Sequence, residues 1–381
     1  MLTGSGKVAA VAGPLLLALG AFTHWPELLA LGVGCLLALS ASLWWLLRRP
    51  ELIATREITP PRVRQGERAV AVLQLTNAGP HRSPPMLATE RVGGRRVGVR
   101  LPSLPRGAST TVSYDLPTDR RGLHLVGPLT MARSDPLRLV LVARDHGTRS
   151  VLAVHPRVHE VEPVPTGRAR DMDGPTSLAS PQGGIAFHSL REYVPGDDLR
   201  LIHWRSTART GQLMVRHNVV PNEPRMMVVL DTSASPYTRE SFEDAVRVAA
   251  SLCVAACDAG FPLRVATTGG VSALCERGTD AGAAVLDLLA GVEASLDDPG
   301  LPALVNMVPD DDGVSLGVVT GQPRGNELRA VSAVRNRFDM VSLVQVGEQY
   351  DRAPAAVPGA YVVNCRTSED FARVWNRGVR R

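Results

Sequence analysis

The chain has almost no lysine: Lys7 stands alone against 41 arginines. Its formal net charge of +5 is spread over 381 residues. No run of five basic residues occurs, and no basic stretch is interleaved with aromatics. That distribution argues against nucleic-acid binding. Cysteine is scarce too. Cys35, Cys253, Cys257, Cys275 and Cys365 are odd in number and fall mostly in apolar segments, which argues for reduced core residues of a cytosolic domain and against a disulfide framework. Cys253 and Cys257 lie one helical turn apart. With no second Cys/His pair at ligand spacing, buried core is the better reading there than a metal site.

Charge is absent altogether from 8–22 (VAAVAGPLLLALGAF) and 28–47 (LLALGVGCLLALSASLWWLL). A span of ~20 apolar residues crosses a hydrocarbon core of ~30 Å, so the second stretch is long enough. The first is shorter and holds Pro14, but 23–25 would lengthen it. A cleaved signal peptide is the rival reading; against it, the apolar run resumes almost at once after the break. The expectation is a two-helix hairpin over 1–50. Lys7 precedes the first span, Arg48 and Arg49 close the second, and the linking loop holds no basic residue. The positive-inside rule then puts both termini in the cytoplasm, with Trp44 and Trp45 at the inner interface. The whole chain, 44% hydrophobic with a mean hydropathy of +0.01, is long enough for two soluble domains beyond that hairpin.

Over 51–160 the pattern turns to period two. Alternating or extended runs at 68–76, 97–101, 109–116, 123–126 and 137–142 are broken by Gly, Pro and Asp about every ten residues. This is the spacing of an antiparallel β-sandwich. Arg120-Arg121-Gly122 and Ser134-Asp135-Pro136 read as turns, and the domain as a spacer or binding module. Residues 160–186, rich in Pro, Gly, Ser and Asp, read as an exposed connection.

The densest polar-aromatic stretch lies within 161–221: HSLREYVPGDDLRLIHWRSTARTGQLMVRH over 188–217. Pro195-Gly196-Asp197-Asp198 predicts a turn, from which Asp197 or Asp198 caps a short helix running to about Arg209. Two readings compete. In one, Arg191, Asp197, Asp198, Arg200, His203, Trp204, Arg205 and Arg209 form a recognition surface or anion site. In the other, the arginines pair with Asp197, Asp198 and Glu192 while Trp204 packs beneath, fastening the segment to the domain C-terminal to it. Ser206 and His203 form no convincing nucleophile pair, since i, i+3 neighbours on one helix seldom aim at each other and no orienting acid is evident.

From 222 to 381 buried strands alternate with helices: strands at 226–230, 263–267, 314–320, 340–346 and 361–364, helices at 242–259, 281–289 and 327–337. This implies an α/β, doubly wound, mostly parallel sheet, whose ligands bind beyond the carboxyl ends of the strands. At the end of the first strand stands Asp231-Thr232-Ser233-Ala234-Ser235. One carboxylate and two hydroxyls on a tight loop suit a hard divalent cation such as Mg2+ or Mn2+. The plainer reading is a helix-capping Asp–Ser turn.

That D-x-S-x-S loop resembles the metal-ion-dependent adhesion site of von Willebrand factor A domains. The longer segment Arg191 to Arg216, which includes Tyr193 and Gly196 and is followed by VVLDTSAS, resembles the signature of the bacterial domain-of-unknown-function 58 family. The Asn77-Ala78-Gly79 turn, the R-R-G-L-H-L-x-G-P run from Arg120 to Pro128, Ser134-Asp135-Pro136 and the membrane hairpin also fit that family's layout. The resemblance implies a degenerate, von Willebrand factor A-like α/β domain in a bacterial cell-membrane protein. It also implies the company of a MoxR-type AAA+ ATPase and a neighbouring membrane protein. Carried over by residue, Asp231, Ser233 and Ser235 match the first metal loop and Thr279 the threonine loop. Where the pattern asks for an acid after the 318–320 strand, this chain has Gly321.

The expected function is a membrane-tethered, non-enzymatic interaction or adaptor module seated in the lipid bilayer. The alternative is a metal-assisted hydrolase at the same sheet edge, which Gly321 and the lack of a second acidic cluster disfavour. An external envelope structural role conflicts with the cytoplasmic topology.

Overall fold

The computed structural model describes residues 2–47, 51–147, 149–165, 186–192, 203–219, 226–275, 281–308, 313–323, 326–348 and 357–379. Two compact units divide the chain, 1–157 with 289–292, and 158–288 with 293–381.

The first unit opens with helices α1 (Gly4–Thr23) and α2 (Pro26–Leu47), each long and apolar enough to cross a membrane. Pro14 lies inside α1 without ending it, and the hairpin turns at His24, whose backbone is left-handed. The helices meet through glycine: a Cβ on Gly32 would stand 2.7 Å from Leu17 and one on Gly20 2.9 Å from the Leu29 nitrogen. Small residues permitting such approach are typical of helix pairs in lipid. Val11, Leu15, Phe22, Leu31 and Leu37 point outward and are more than half exposed.

Nine strands follow among the described residues: β1 (Leu52–Thr59), β2 (Arg62–Arg64), β3 (Ala69–Asn77), β4 (Met86–Val92), β5 (Arg95–Leu101), β6 (Ser109–Leu116), β7 (Gly122–Ser134), β8 (Leu141–His146) and β9 (Ser150–His155). They form one sheet in the order β1-β3-β6 and a second in the order β2-β9-β7-β4-β5, with β8 paired to β7. The inward side chains of the two sheets meet in two clusters, Leu73, Leu75, Leu101 and Met131 in one and Ala71, Val92, Leu152 and Val154 in the other. Buried polar groups accompany them. Arg56 binds Glu90, Tyr114 donates to Glu90, and Arg56 Nη2 reaches the Val126 carbonyl at 2.9 Å. Burial pushes the Glu90 carboxyl up, although Arg56 beside it pulls the other way. The strand expected over 137–142 starts only at Leu141. Before it, Asp135 accepts the N–H groups of Leu137 and Val140 at 2.9 and 2.7 Å, and Arg138 is left-handed, so those residues form a turn.

In the second unit β10 (Ala186–Glu192) and β11 (Met214–Val219) pair antiparallel, with α3 (Trp204–Thr210) between them in sequence. The body is a six-stranded sheet built from β12 (Met226–Leu230), β13 (Leu263–Thr267), β14 (Ser272–Cys275), β15 (Gly313–Thr320), β16 (Phe338–Val346) and β17 (Tyr361–Cys365). Its order is β14-β13-β12-β15-β16-β17, parallel except for the β14 edge. The connecting helices are α4 (Arg239–Asp258), α5 (Ala281–Gly291), α6 (Leu304–Met307), α7 (Leu328–Val334) and α8 (Ser368–Val379). Leu304 of α6 and Val331 of α7 join Met227, Val229 and Val318 on one face. On the other, Leu252 of α4 and Val228 both border Gly317, and α8 lies beside α4. Sequence periodicity missed α8. Its Phe371 and Trp375 are fully buried, and Trp375 Nε1 donates to the Glu162 carbonyl at 2.7 Å, so the 158–165 segment runs along this helix. Cys253, Cys275 and Cys365 are buried. Burial pushes Cys253 well up and takes Cys257 and Cys365 to about 12, which makes them inert as nucleophiles.

Candidate functional site

All five residues of β12 are buried, as helices covering both faces of a parallel sheet require. The order of the sheet reverses beside it, and open α/β sheets bind ligands at the carboxyl ends of such strands. Three loops converge there. Asp231 follows β12, Thr268 follows β13, and Thr320 closes β15.

Asp231 is 1% exposed. Its Oδ1 accepts the Ser233 N–H at 3.0 Å and the Ser233 hydroxyl at 2.7 Å, and its Oδ2 accepts the Thr320 hydroxyl at 2.7 Å. A second carboxylate arrives on the loop before residue 301. Asp298 Oδ2 accepts the hydroxyls of Thr268, at 2.9 Å, and Thr232, while its Oδ1 accepts the Gly300 N–H at 2.8 Å. The Thr268 hydroxyl also stands 3.4 Å from Asp231 Oδ1 and so bridges the two acids. Burial pushes the Asp231 carboxyl up, hydrogen bonds from Ser233 and Thr320 oppose this, and the charge of Asp298 adds to it. Burial likewise drives the Tyr237 phenol, which donates to the Asp231 carbonyl at 2.9 Å, well above its ordinary value. Gly300 is left-handed (φ 69°), and a Cβ there would stand 2.8 Å from Ser233 Oγ.

This donor set fits a hard divalent cation. It consists of oxygens alone, two carboxylates and the hydroxyls of Thr232, Ser233, Thr268 and Thr320, and neither acid has a salt-bridge partner among the described residues. Of the residues read from sequence, Asp231 and Ser233 come together. Ser235 is exposed and forms no hydrogen bond among the described residues. Thr279 lies outside them.

Gly321 acquires a different meaning from that of a lost ligand. The Pro236 carbonyl accepts the Gln322 N–H at 2.8 Å, and a Cβ on Gly321 would lie 2.2 Å from that carbonyl oxygen and 2.7 Å from Tyr237 Cδ1. The position is filled by backbone. Sequence reasoning sought the second acid directly after a strand and therefore missed Asp298, although Asp297-Asp298-Pro299-Gly300 is a turn signal with a carboxylate in it.

In the signature segment the helix begins at Trp204, capped by His203, whose side chain accepts the Ser206 N–H. The predicted start at Asp197 or Asp198 lies outside the described residues, as do Tyr193, Gly196 and Arg200; Arg191 belongs to β10, where only backbone is described. His203 Nδ1 stands 2.8 Å from Ser206 Oγ, an arrangement that caps the helix. Trp204 is 68% exposed, and Arg205, Ala208 and Arg209 are exposed with it.

Residues 189–268 match the model of a family described as "Protein of unknown function DUF58", a span holding α3, β12 and Asp231. The "Uncharacterized protein YeaD" of Bacillus subtilis (strain 168) is 25% identical over 146 residues. That alignment covers 38% of this chain and 35% of the relative, so it spans about a third of the relative's length. Both support the family resemblance, the first of them over residues 189–268. Among solved structures, the CARDB domain of the PF1109 protein from Pyrococcus furiosus overlaps 28% of this chain and 94% of that one, at 14% identity and a TM-score of 0.22. The Pseudomonas fluorescens alkylpurine DNA glycosylase AlkC overlaps 26% of this chain and 31% of that one, at 16% identity and 0.19. Overlaps this loose bear on neither fold nor function.

Proposed function

We propose that this protein is a membrane-tethered, non-enzymatic interaction module, with a cytoplasmic α/β domain of von Willebrand factor A-like, doubly wound type that docks a MoxR-type AAA+ ATPase. The observation that carries the reading is the open face of α3: Trp204, 68% exposed, with Arg205 and Arg209 on the same short helix. Trp, Tyr and Arg are the residues most enriched at binding hot spots. The family match over 189–268 includes this face. The hairpin, read as two spans with both termini in the cytoplasm, holds the module at the bilayer beside a neighbouring membrane protein.

Mg2+ or Mn2+ is the cation the Asp231–Asp298 site would hold, with Ser233, Thr232, Thr268 and Thr320 as further oxygens. When bound it would present a carboxylate of the partner with a positive centre. A metal-assisted hydrolase is the second reading, favoured by one observation, the second carboxylate that Asp298 brings to Asp231.

A photoreactive benzoylphenylalanine at Arg209, in the full chain in its native membrane, tests the docking reading. It should crosslink an AAA+ ATPase, and the adduct should vanish with Trp204→Ala. An adduct that persists in Trp204→Ala, or none with any ATPase, would reject it.

A further inference from the structure

The Ser134-Asp135-Pro136 turn of the sandwich makes contacts that turn chemistry alone does not call for. The Ser42 hydroxyl of α2 donates to Asp135 Oδ2 at 2.8 Å, and both residues are 2% exposed. From α1, the Thr3 N–H donates to the Leu139 carbonyl at 2.9 Å, and the Thr3 hydroxyl to the Arg138 carbonyl at 2.6 Å. Leu2 bridges to Val140, Arg133 Nη2 donates to the Trp45 carbonyl at 3.2 Å, and a Cβ on Gly6 would lie 1.9 Å from the Leu139 carbonyl oxygen. The turn is thus wedged between the first turn of α1 and the last turns of α2.

Its depth follows from helix geometry. Ser42 stands five residues before the end of α2 at Leu47, about 7 Å along the axis, and inside the uncharged 28–47 stretch. Trp44 and Trp45, aromatics of the kind that mark a bilayer interface, lie between that level and the helix end. Around the Asp135 carboxylate the turn nevertheless presents apolar surface: Leu137 is 56% exposed, Leu141 41% and Leu2 42%. The exposed Arg138 stands among them, complementary to a lipid phosphate.

We propose that the 135–141 turn is itself a membrane-contacting element. It seats at the acyl–headgroup boundary, with Leu137 and Leu141 against lipid and Arg138 at a phosphate, so that the sandwich is docked on the bilayer by its own turn as well as by the chain that follows α2. The surface is continuous with that of the hairpin, and the inference rests on the reading of that hairpin as membrane-spanning. Apolar side chains at this depth gain by leaving water, while arginine keeps its head at the phosphates.

The test uses the full chain carrying Cys35→Ala and Cys257→Ser, which leaves three buried thiols. Single nitroxides are placed at Leu137→Cys, Leu37→Cys and Leu296→Cys, and the protein is reconstituted in phosphatidylcholine–phosphatidylglycerol vesicles. Leu37 is 64% exposed on α2 and Leu296 is 88% exposed in the second unit. Collision with a water-soluble nickel chelate should be lost at 137 as at 37 and retained at 296, with oxygen accessibility showing the reverse. A label at 137 that collides with nickel as freely as at 296, while 37 stays shielded, overturns the proposal and leaves the spanning hairpin standing. Nickel access at all three sites overturns the hairpin reading and the proposal with it.

Discussion

Replacing Gly321 with aspartate puts an acid where the metal-loop pattern asks for one, and it should damage the site all the same. The new Cβ would lie 2.2 Å from the Pro236 carbonyl oxygen and 2.7 Å from Tyr237 Cδ1, where ordinary contacts need at least about 3.4 Å. Neither neighbour yields easily. The first is backbone, and the Tyr237 ring packs edge-on to Phe242 at 5.2 Å while its hydroxyl holds the Asp231 carbonyl. Overpacking of this kind costs about 1–3 kcal/mol. Losing the Gln322–Pro236 and Tyr237–Asp231 hydrogen bonds adds about 1 kcal/mol each. A total of roughly 3–5 kcal/mol corresponds to a Tm lower by about 6–20 °C for a domain of this size. Gly321→Ala should show a similar loss, because the clash is with Cβ and not with charge. Calorimetric unfolding of the full chain in detergent, beside Mg2+ titrations, measures both effects. A Gly321→Asp protein as stable as the parent and tighter for Mg2+ would refute the packing argument and restore the lost-ligand interpretation.

Mg2+ should release or absorb heat on titration into the full chain, and Asp231→Ala and Asp298→Ala should each abolish it; heat unaltered in both variants would remove the cation from the account. The site should also depend on pH in a definite direction. Burial raises the Asp231 pKa in the folded state, so its contribution to stability is present below the unfolded value, about 3.9, and is lost as pH rises through the folded value. Metal affinity should climb over that same window as the proton is displaced, and Asp231→Asn should remove the stability slope from the metal-free unfolding curve. In the sandwich, Arg56→Met strands Glu90, the two side chains being 6% and 0% exposed. Breaking such a buried pair costs about 3–5 kcal/mol, so thermal unfolding of that unit unchanged to within about 1 kcal/mol, the upper range for surface pairs, would count against a buried pair.

Much of the architecture was legible because apolar periodicity reports burial. Residues 226–230 read as a doubly buried strand and became one, and the two uncharged runs became helices. What escaped was set by contacts between distant parts of the chain. The extended look of 137–142 conceals a turn imposed by Asp135. Helix α8 keeps only two large apolar side chains buried, too few for periodicity to register over so many charges. Asp231 and Ser233 were readable because the loop that joins them is local. Asp298 was not, because its link to Asp231 passes through Thr268, on the turn after another strand. The exposure of Trp204 was likewise undecided by sequence, since a Trp between arginines suits a buried anchor and a bare docking face equally well.

Whether α3 presents a docking face is decided by the affinity of the full chain in lipid nanodiscs for the MoxR-type ATPase, measured with and without Trp204→Ala. Truncating a hot-spot Trp costs about 2 kcal/mol or more, so the Kd should rise by at least about thirtyfold. Because Trp204 is 68% exposed, the thermal unfolding of the chain should not change. Equal affinity of the two proteins, or no binding by the parent chain, would contradict the account.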